Sequence, residues 1–319
     1  MQFLFVMDPA ETMLADKDTS FAFMRGALAR GHQCWHCTPR DISSVNRDVT
    51  AQATSIVVND KAPHVSLGER RALTVSELDA VFIRKDPPFD AAYLYLTQQL
   101  DLICKSTLVI NSPQGLRDAN EKLFALQFTK YIPKTMVSAS PAQLLSFLDE
   151  LGGSGVLKPL DGAGGFGVVL LRADDPNARA LVDLLTHEGK RKALLQEYLP
   201  VVREGDKRVL VLDGKLLGAI RRVPHGHDIR ANIHVGGSVV PAELTTAEQE
   251  LVLDVGAELS ARGLWFVGLD LIGEKLIEVN VTSPTGLQQL ARHHGKPLEQ
   301  EVIAWAEARS RALRGAAQL

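Results

Sequence analysis

The sequence predicts an α/β protein built on a parallel sheet with crossover helices, and three observations carry that expectation. Short apolar runs rich in branched and aromatic residues recur at 3–7 (FLFVM), 80–83 (AVFI) and 107–110 (TLVI), the length and composition of strands covered on both faces. Helical-looking segments such as TSFAFMRGALARG at 19–31 alternate with them, as helices packed onto a parallel sheet require. Each run also ends in a polar turn containing proline: Asp8-Pro9, then Arg84-Lys85-Asp86-Pro87-Pro88, then Asn111-Ser112-Pro113. Polar residues thus gather at strand carboxyl ends, where open α/β sheets bind ligands.

The following elements are legible in order. Ser112-Pro113 opens a helix as N-cap and first helical residue, and a second helix is expected to open near Asn120, with Leu123, Phe124, Leu126 and Phe128 as its apolar face. Lys122 would then lie in a first helical turn, where a positive charge is unfavourable against the dipole, so an anion contact competes with simple exposure. PAQLLSFLDELGG at 141–153 is an amphipathic helix closed by Gly152-Gly153; strand GVLKP, a glycine loop, strand VVLLR, helix ARALVDLLTHEG and strand KALLQEYLP complete a β-β-α-β unit between Tyr131 and Pro200. KRVLVLDGKLLGAIRRV is a hairpin turning at Asp213-Gly214. A helix from Thr245 or Thr246 stops at Gly263, and GLDLIGEKLIEVN forms a second hairpin. Residues 47–76 show no familiar pattern and read as a linker.

Bulk properties bound the function. The chain's 319 residues suffice for about two domains, and a net charge of −3 gives no electrostatic case for nucleic acid or an anionic membrane. A small-molecule partner is the default. The opening MQFLFVMDP lacks the basic start and apolar length of a secretory signal, and no apolar run reaches the roughly 18 residues of a membrane span. Cys34, Cys37 and Cys104 cannot all pair, which favours a reducing cytosol. Cys34 and Cys37 form C-x-x-C in HQCWHC, but no second pair exists, and burial as small hydrophobes is the expected fate.

The stretch LKPLDGAGGFGVVLL holds Gly162, Gly164 and Gly167 in G-x-G-x-x-G spacing, with Gly165 between. A dinucleotide fingerprint needs a helix after the last glycine; here Val168 to Leu171 read as a strand. The loop therefore suits a hairpin lid whose backbone amides wrap phosphate oxygens, with Lys158 just before it. In the hairpin at 268–280, Glu278 and Asn280 face one way. Asp270 joins them only if it pairs with Glu278, and that pairing requires a loop with an odd number of residues, such as Gly273-Glu274-Lys275, rather than a two-residue turn. Three oxygen ligands with no histidine or cysteine near suit Mg²⁺ (or Mn²⁺) completed by phosphate and water; a salt bridge to arginine is the rival. Arg208, Arg221, Arg222 and Arg230 supply guanidinium forks for phosphate and carboxylate, and His225 and His227 lie in the same loop as Arg230. No serine elbow or triad is present. These parts point to phosphoryl transfer from a nucleotide, chemistry that is mostly positioning and charge neutralisation; they leave the acceptor open.

The segments VMDP, RKDPPFD, GLRDANEKLF, LKPLDGAGG, YLPVVREGDKRVLV, GGSVVPAELT and GLWFVGLDLIGEKLIEVNVTSPTG cover most of the chain, and through them it resembles the bacterial glutathione synthetases, members of the ATP-grasp ligases. The resemblance implies an ATP-grasp fold with an N-terminal parallel-sheet domain (1–119), a glycine-loop lid or central domain (120–200) and a C-terminal metal and phosphate domain (201–319). It implies ATP as co-substrate, γ-glutamylcysteine and glycine as substrates, and an acyl phosphate intermediate. By the same resemblance Lys122, Lys158 and the loop Gly162, Gly164, Gly165 and Gly167 hold ATP phosphates. Glu197, Tyr198 and Leu199 line adenine, and Asp206 meets the ribose or nearby groups. Asp270, Glu278 and Asn280 bind two Mg²⁺; Arg208 and Arg230, with Asn232, are catalytic; and Arg84 with Ser283, Pro284 and Thr285 holds substrate carboxylates. A cytoplasmic homo-oligomer, a tetramer, is implied as well. PHGHDIRAN at 224–232 is richer in histidine and poorer in glycine than the family pattern. Another ATP-grasp carboxylate-amine ligase of the D-alanine or glutamate type, or a non-catalytic ATP-binding module, are the alternatives.

Overall fold

The computed structural model describes residues 1–224 and 238–316. Three sheets follow one another along the chain. The first contains β1 (Gln2–Met7), β2 (Gln33–Cys37), β3 (Ile42–Val45), β4 (Asp48–Val58), β5 (Val65–Thr74), β6 (Ala80–Arg84) and β7 (Leu108–Ile110). Its order is β3-β4-β2-β1-β6-β7, with β5 also paired to β4. β1 runs parallel to β2 and β6, and β6 parallel to β7, which confirms the parallel sheet. Residues 47–76 are the main departure: they form the long antiparallel β4/β5 hairpin. Along β4 the buried positions Val49, Ala51 and Ala53 alternate with exposed ones, a period-2 pattern hidden from a hydropathy reading because alanine contrasts weakly with its polar neighbours.

Helices α1 (Thr19–Ala29), α2 (Ala91–Asp101) and α3 (Pro113–Asp118) belong to this part. β1 is buried on both faces. Phe3 and Phe5 point to α1 and the C-terminal helix, with Phe5 stacked on Phe82 at 4.9 Å, while Leu4 and Val6 face the opposite cluster with Trp35. The two cysteines of C-x-x-C follow the same alternation: Cys34 and Cys37 pack in different clusters on opposite faces, so they neither pair nor share a metal. Burial pushes the Cys34 thiol up to about 12.

The second sheet has order β10-β9-β11-β8, from β8 (Thr135–Ser138), β9 (Ser154–Pro159), β10 (Val169–Arg172) and β11 (Ala193–Glu197). Its apolar face is covered by α4 (Pro141–Glu150) and α5 (Ala178–Thr186), through Leu144, Leu148 and Val182 against Leu157, Leu171 and Leu195. The third sheet has order β14-β13-β12-β15-β16: β12 (Asp206–Leu212), β13 (Lys215–Val223), β14 (Ser238–Pro241), β15 (Phe266–Ile272) and β16 (Lys275–Asn280). α6 (Thr246–Ala261) starts at a capping box between Thr245 and Glu248. α7 (Leu287–His294) and α8 (Glu299–Ala316) end the chain, and α8 packs on α1. Among the described residues no helix is long and apolar enough to cross a membrane.

Two corrections concern local structure. No α-helix opens at Asn120; Asn120 Oδ1 accepts from the amides of Lys122 and Leu123, and only a 3-10 turn, Phe124–Gln127, follows. Lys122 therefore meets no α-helix dipole. In the last hairpin the loop is the two residues Gly273-Glu274, yet Asp270 still pairs with Glu278, because a bulge between Asp270 and Leu271 leaves Ile277 unpaired and shifts the register by one.

Candidate functional site

The three sheets meet around one cavity of about 640 Å³. From the second sheet, β9 delivers Lys158 at its end, and the hairpin to β10 carries the glycine loop. Leu157 pairs with Val169 across the loop, so a strand does follow the glycines. Gly164, Gly165 and Gly167 have φ of +61°, +84° and +71°, which side chains other than glycine rarely adopt. A Cβ on Gly162 would lie 2.7 Å from the Phe166 carbonyl oxygen and from Pro159 Cγ. Gly162, Gly164 and Gly165 line the cavity, whereas Gly167 is not part of its wall and packs near Pro159. β11 runs out into Glu197, Tyr198 and Leu199, which line the same wall.

The third sheet supplies charge on one face. Arg208 on β12 lies opposite Asp270 on β15, which lies opposite Glu278 on β16. Arg208 Nη2 donates to Asp270 Oδ2 at 2.9 Å, and Arg222 Nη2 approaches the same oxygen at 3.0 Å. Arg222 Nε donates to Asp206 Oδ1 at 2.7 Å. All four side chains are buried or nearly so. Burial alone would raise the Asp270 carboxyl, but Arg208 and Arg222 hold it well below the usual carboxylate range. Burial, together with the charge of Asp270, raises Asp206 despite its arginine. Asp206 is thus engaged by Arg222 while still lining the cavity. The register that sets Arg222 opposite Asp206 also depends on a bulge, between Leu210 and Val211; without it Arg221 would take that place.

Lys122 Nζ lies 3.0 Å from Glu278 Oε1 and also donates to the Gly162 carbonyl. Lys158 Nζ donates to Gln196 Oε1 at 2.9 Å, and burial, with the charge of Lys122 adding to it, pushes its ammonium down to about 8. Asn280 Nδ2 donates to Asp270 Oδ2 at 3.2 Å. Asp270, Glu278 and Asn280 therefore do converge, and the rival salt bridge is present too, since Asp270 is held by two arginines. Among the described residues no three His, Cys, Asp or Glu side chains gather to hold a metal by themselves. Two carboxylates and one amide, all oxygen donors at a cavity wall, fit a hard cation whose remaining ligands are phosphate and water.

Opposite stands the parallel sheet. Arg84, at the end of β6, is 6 % exposed. Its Nε donates to Ser20 Oγ at 3.1 Å and its Nη2 to the Pro284 carbonyl at 2.9 Å, and burial pushes it down to about 10. Ser283 donates to the Asp86 carboxylate, and Thr285 O accepts from Arg208 Nη1 at 3.2 Å. Arg230, Asn232, His225 and His227 lie outside the described residues.

One further residue was given no role by the sequence reading. Glu121 accepts from Val281 N, Thr282 N and Thr282 Oγ1 at 2.9–3.2 Å and joins the cavity floor; burial and the nearby Glu278 raise its carboxyl. Arg222 was visible only as one arginine of a pair, and nothing local distinguishes it from Arg221.

Comparison with known proteins agrees with this arrangement. Residues 1–117 match the family model described as prokaryotic glutathione synthetase, N-terminal domain, and residues 121–295 the one described as prokaryotic glutathione synthetase, ATP-grasp domain. A protein named glutathione synthetase from Thermosynechococcus vestitus is 40% identical over 96% of this chain and 99% of its own length, and one from Nostoc sp. is 41% identical over 96% and 98%. Among solved structures, the D-cycloserine synthetase DcsG superposes with a TM-score of 0.67 at 17% identity, covering 98% of this chain and 99% of that one. A RimK domain ATP-grasp protein from Sphaerobacter thermophilus gives 0.63 at 16% identity, covering 96% and 99%. These last two show the ATP-grasp fold.

Proposed function

The chain belongs to the prokaryotic glutathione synthetase family, and on that premise we propose that it joins γ-glutamylcysteine to glycine, with ATP cleaved to ADP and phosphate. The single observation that carries the residue-level reading is one cavity lined both by a cluster of buried cations of the kind that bind phosphate and by a buried arginine that, among the described residues, has no carboxylate in salt-bridge reach. ATP lies with adenine against Glu197, Tyr198 and Leu199, and with its phosphates between the glycine loop, Lys122 and Lys158. Asp206 sits where the ribose or first phosphates pass. The cysteinyl carboxylate attacks the γ-phosphorus, ADP leaves, and an acyl phosphate forms. Arg208 and Arg222 face the oxygens on which charge accumulates, and guanidinium forks stabilise that charge most where water is excluded. The neutral amine of glycine then attacks the acyl carbon and phosphate departs. Closure of the glycine loop keeps water from the acyl phosphate.

Asp270, Glu278 and Asn280 would hold Mg²⁺ or Mn²⁺. A divalent ion supplies neutralisation of the transferring phosphoryl group. In the resting arrangement Lys122 and the two arginines already occupy these carboxylates, so ion binding exchanges one set of positive partners for another. We assign residues 1–119, 120–200 and 201–319 to the substrate, lid and metal domains, and take the enzyme as a cytoplasmic homo-oligomer, a tetramer, which light scattering checks.

The test is ADP release from MgATP with γ-glutamylcysteine and glycine, each omitted in turn, and with D-alanine or glutamate as substitutes. Release that needs both named substrates is the expected result. Release only with another pair would keep the fold and discard glutathione.

A further inference from the structure

The chain that leaves β16 is held by side chains rather than by a strand neighbour. Gly268 pairs with Asn280, the last residue of β16, and the same antiparallel register continued would set Phe266 opposite Thr282. The strand pairing stops short of that. The Asn111 side chain, just past the end of β7 and 3 % exposed, takes its place. Its Oδ1 accepts from Phe266 N at 2.8 Å, and its Nδ2 donates to the Phe266 and Val281 carbonyls, both at 2.8 Å. One carboxamide thus offers the acceptor and donors that a neighbouring strand would offer, and its bonds, across 155 and 170 residues, join the parallel sheet to the third one. Glu121 holds the same segment independently: Oε1 alone accepts from Val281 N, Thr282 N and Thr282 Oγ1. Val281 is therefore held at its amide by Glu121 and at its carbonyl by Asn111. Close backbone approach surrounds the joint, since Ser112 N donates to Gly263 O at 2.9 Å and a Cβ on Gly115 would lie 2.6 Å from the Arg262 carbonyl oxygen.

Both flanks of residues 281 and 282 belong to the cavity. Asn280 precedes them, and Ser283, Pro284 and Thr285 follow, with the Pro284 carbonyl on Arg84 and the Thr285 carbonyl on Arg208. We propose that Asn111 and Glu121 are positioning residues for the ligase: by pinning Val281 and Thr282 they set where Asn280 meets the cation and where the turn at 283–285 meets the substrate. The proposal rests on the ligase reading above. Asn111 does not line the cavity, so it acts only through the segment it holds. Glu121 does reach the cavity, but as an acceptor of three donors it needs an oxygen in the right place and not a charge. Groups that orient a metal ligand in this way change metal affinity or rate by about ten- to a hundredfold when removed.

The test compares Asn111→Ala, Glu121→Ala and Glu121→Gln in calorimetric ADP binding, with EDTA and with Mg²⁺, and in turnover with γ-glutamylcysteine and glycine. In EDTA, ADP affinity should stay close to wild type, because adenine and phosphates rest on other residues. The gain in affinity on adding Mg²⁺ should shrink about tenfold, and kcat should fall about a hundredfold, in both alanine variants. Glu121→Gln keeps an oxygen for the three donors and should restore both readouts. A lower urea midpoint with a wild-type Mg²⁺ response and kcat would make Asn111 a stabilising joint only and overturn the proposal. Glu121→Gln as slow as Glu121→Ala would overturn it too, by making the charge the active feature, and so would an equal loss of ADP affinity with EDTA and with Mg²⁺. If Asn111→Ala does not fold, Glu121→Ala and Thr282→Val decide: a loss graded with the number of hydrogen bonds removed supports the positioning role, and no loss in either overturns it. Wild-type protein that releases no ADP on the two substrates would overturn the ligase reading, while the ADP and Mg²⁺ affinities would still test the joint.

Discussion

The two ends of the cavity treat buried charge in opposite ways. On the third sheet, Arg208, Arg222, Asp206 and Asp270 neutralise one another, and Lys122 closes on Glu278. At the end of β6, Arg84 is as deeply buried, but among the described residues its partners are a hydroxyl, a carbonyl and the Phe23 and Phe266 rings, with no carboxylate in salt-bridge reach. Closed ion pairs hold the fold together and must rearrange to admit a cation and phosphates. An arginine that no described carboxylate reaches gives the fold little. On the proposed reading, the same side-chain chemistry contributes mainly to stability at one end and mainly to recognition at the other.

The largest effect that would sharpen this contrast is on stability. Asp270→Asn leaves Arg208 buried against a neutral amide and Arg222 with Asp206 alone, and should cost about 3–5 kcal/mol, read as a lower midpoint in urea; an unchanged midpoint would break the comparison. Next comes turnover. Glu278→Gln should lower kcat about a hundredfold or more while changing the nucleotide Kd far less, because it acts on charge that develops in the transition state. Wild-type turnover at saturating Mg²⁺ would remove Glu278 from the metal site.

A smaller effect is expected with pH. Burial pushes Lys158 down to about 8, so below that pH the ammonium is charged and available to phosphate, and above it the charge is lost. Nucleotide affinity should fall about tenfold between pH 7 and 9 as the charged fraction drops, and Lys158→Arg, charged throughout, should flatten the profile. The sign for folding is opposite: the unfolded chain holds this proton up to a higher pH than the folded one, so the burial cost is full below about 8 and is relieved as pH rises toward the ordinary lysine range. Smallest of all, Arg84→Met should change stability by about 1 kcal/mol or less, although it should abolish tight dipeptide binding. Loss of several kcal/mol would show that Arg84 holds the fold as Asp270 does.

Much of this was legible in the linear chain. Runs such as 3–7 and 80–83 declared the parallel strands, Asp213-Gly214 and Thr245 marked a turn and a cap that the structure contains, and the strand after Gly167 separated a phosphate lid from a dinucleotide fingerprint. The family motifs named most cavity residues. Other features were hidden. The alternation in β4 was masked by alanines, and Lys122 looked helical because Leu123, Phe124 and Phe128 mimic an apolar face. Glu121 lies within the segment GLRDANEKLF, but no role could be read for it there, since its three hydrogen bonds come from residues 281 and 282.

The sequence by itself determined many of the strands, turns and caps, though neither the β4/β5 hairpin nor the absence of an α-helix at Asn120, and that a glycine loop, lysines and carboxylates accompany them, because apolar period and turn chemistry act over a few residues. Only the tertiary structure decided who meets whom. Two bulges, one leaving Leu217 unpaired and one Ile277, each shift a hairpin by one residue, and through those shifts Asp206 meets Arg222 and Asp270 meets Glu278. The start of α1 meets Arg84 across 64 residues of chain. A one-residue slip in a strand moves every side chain to the opposite face, and its energy is settled by contacts with distant segments, which no local pattern contains.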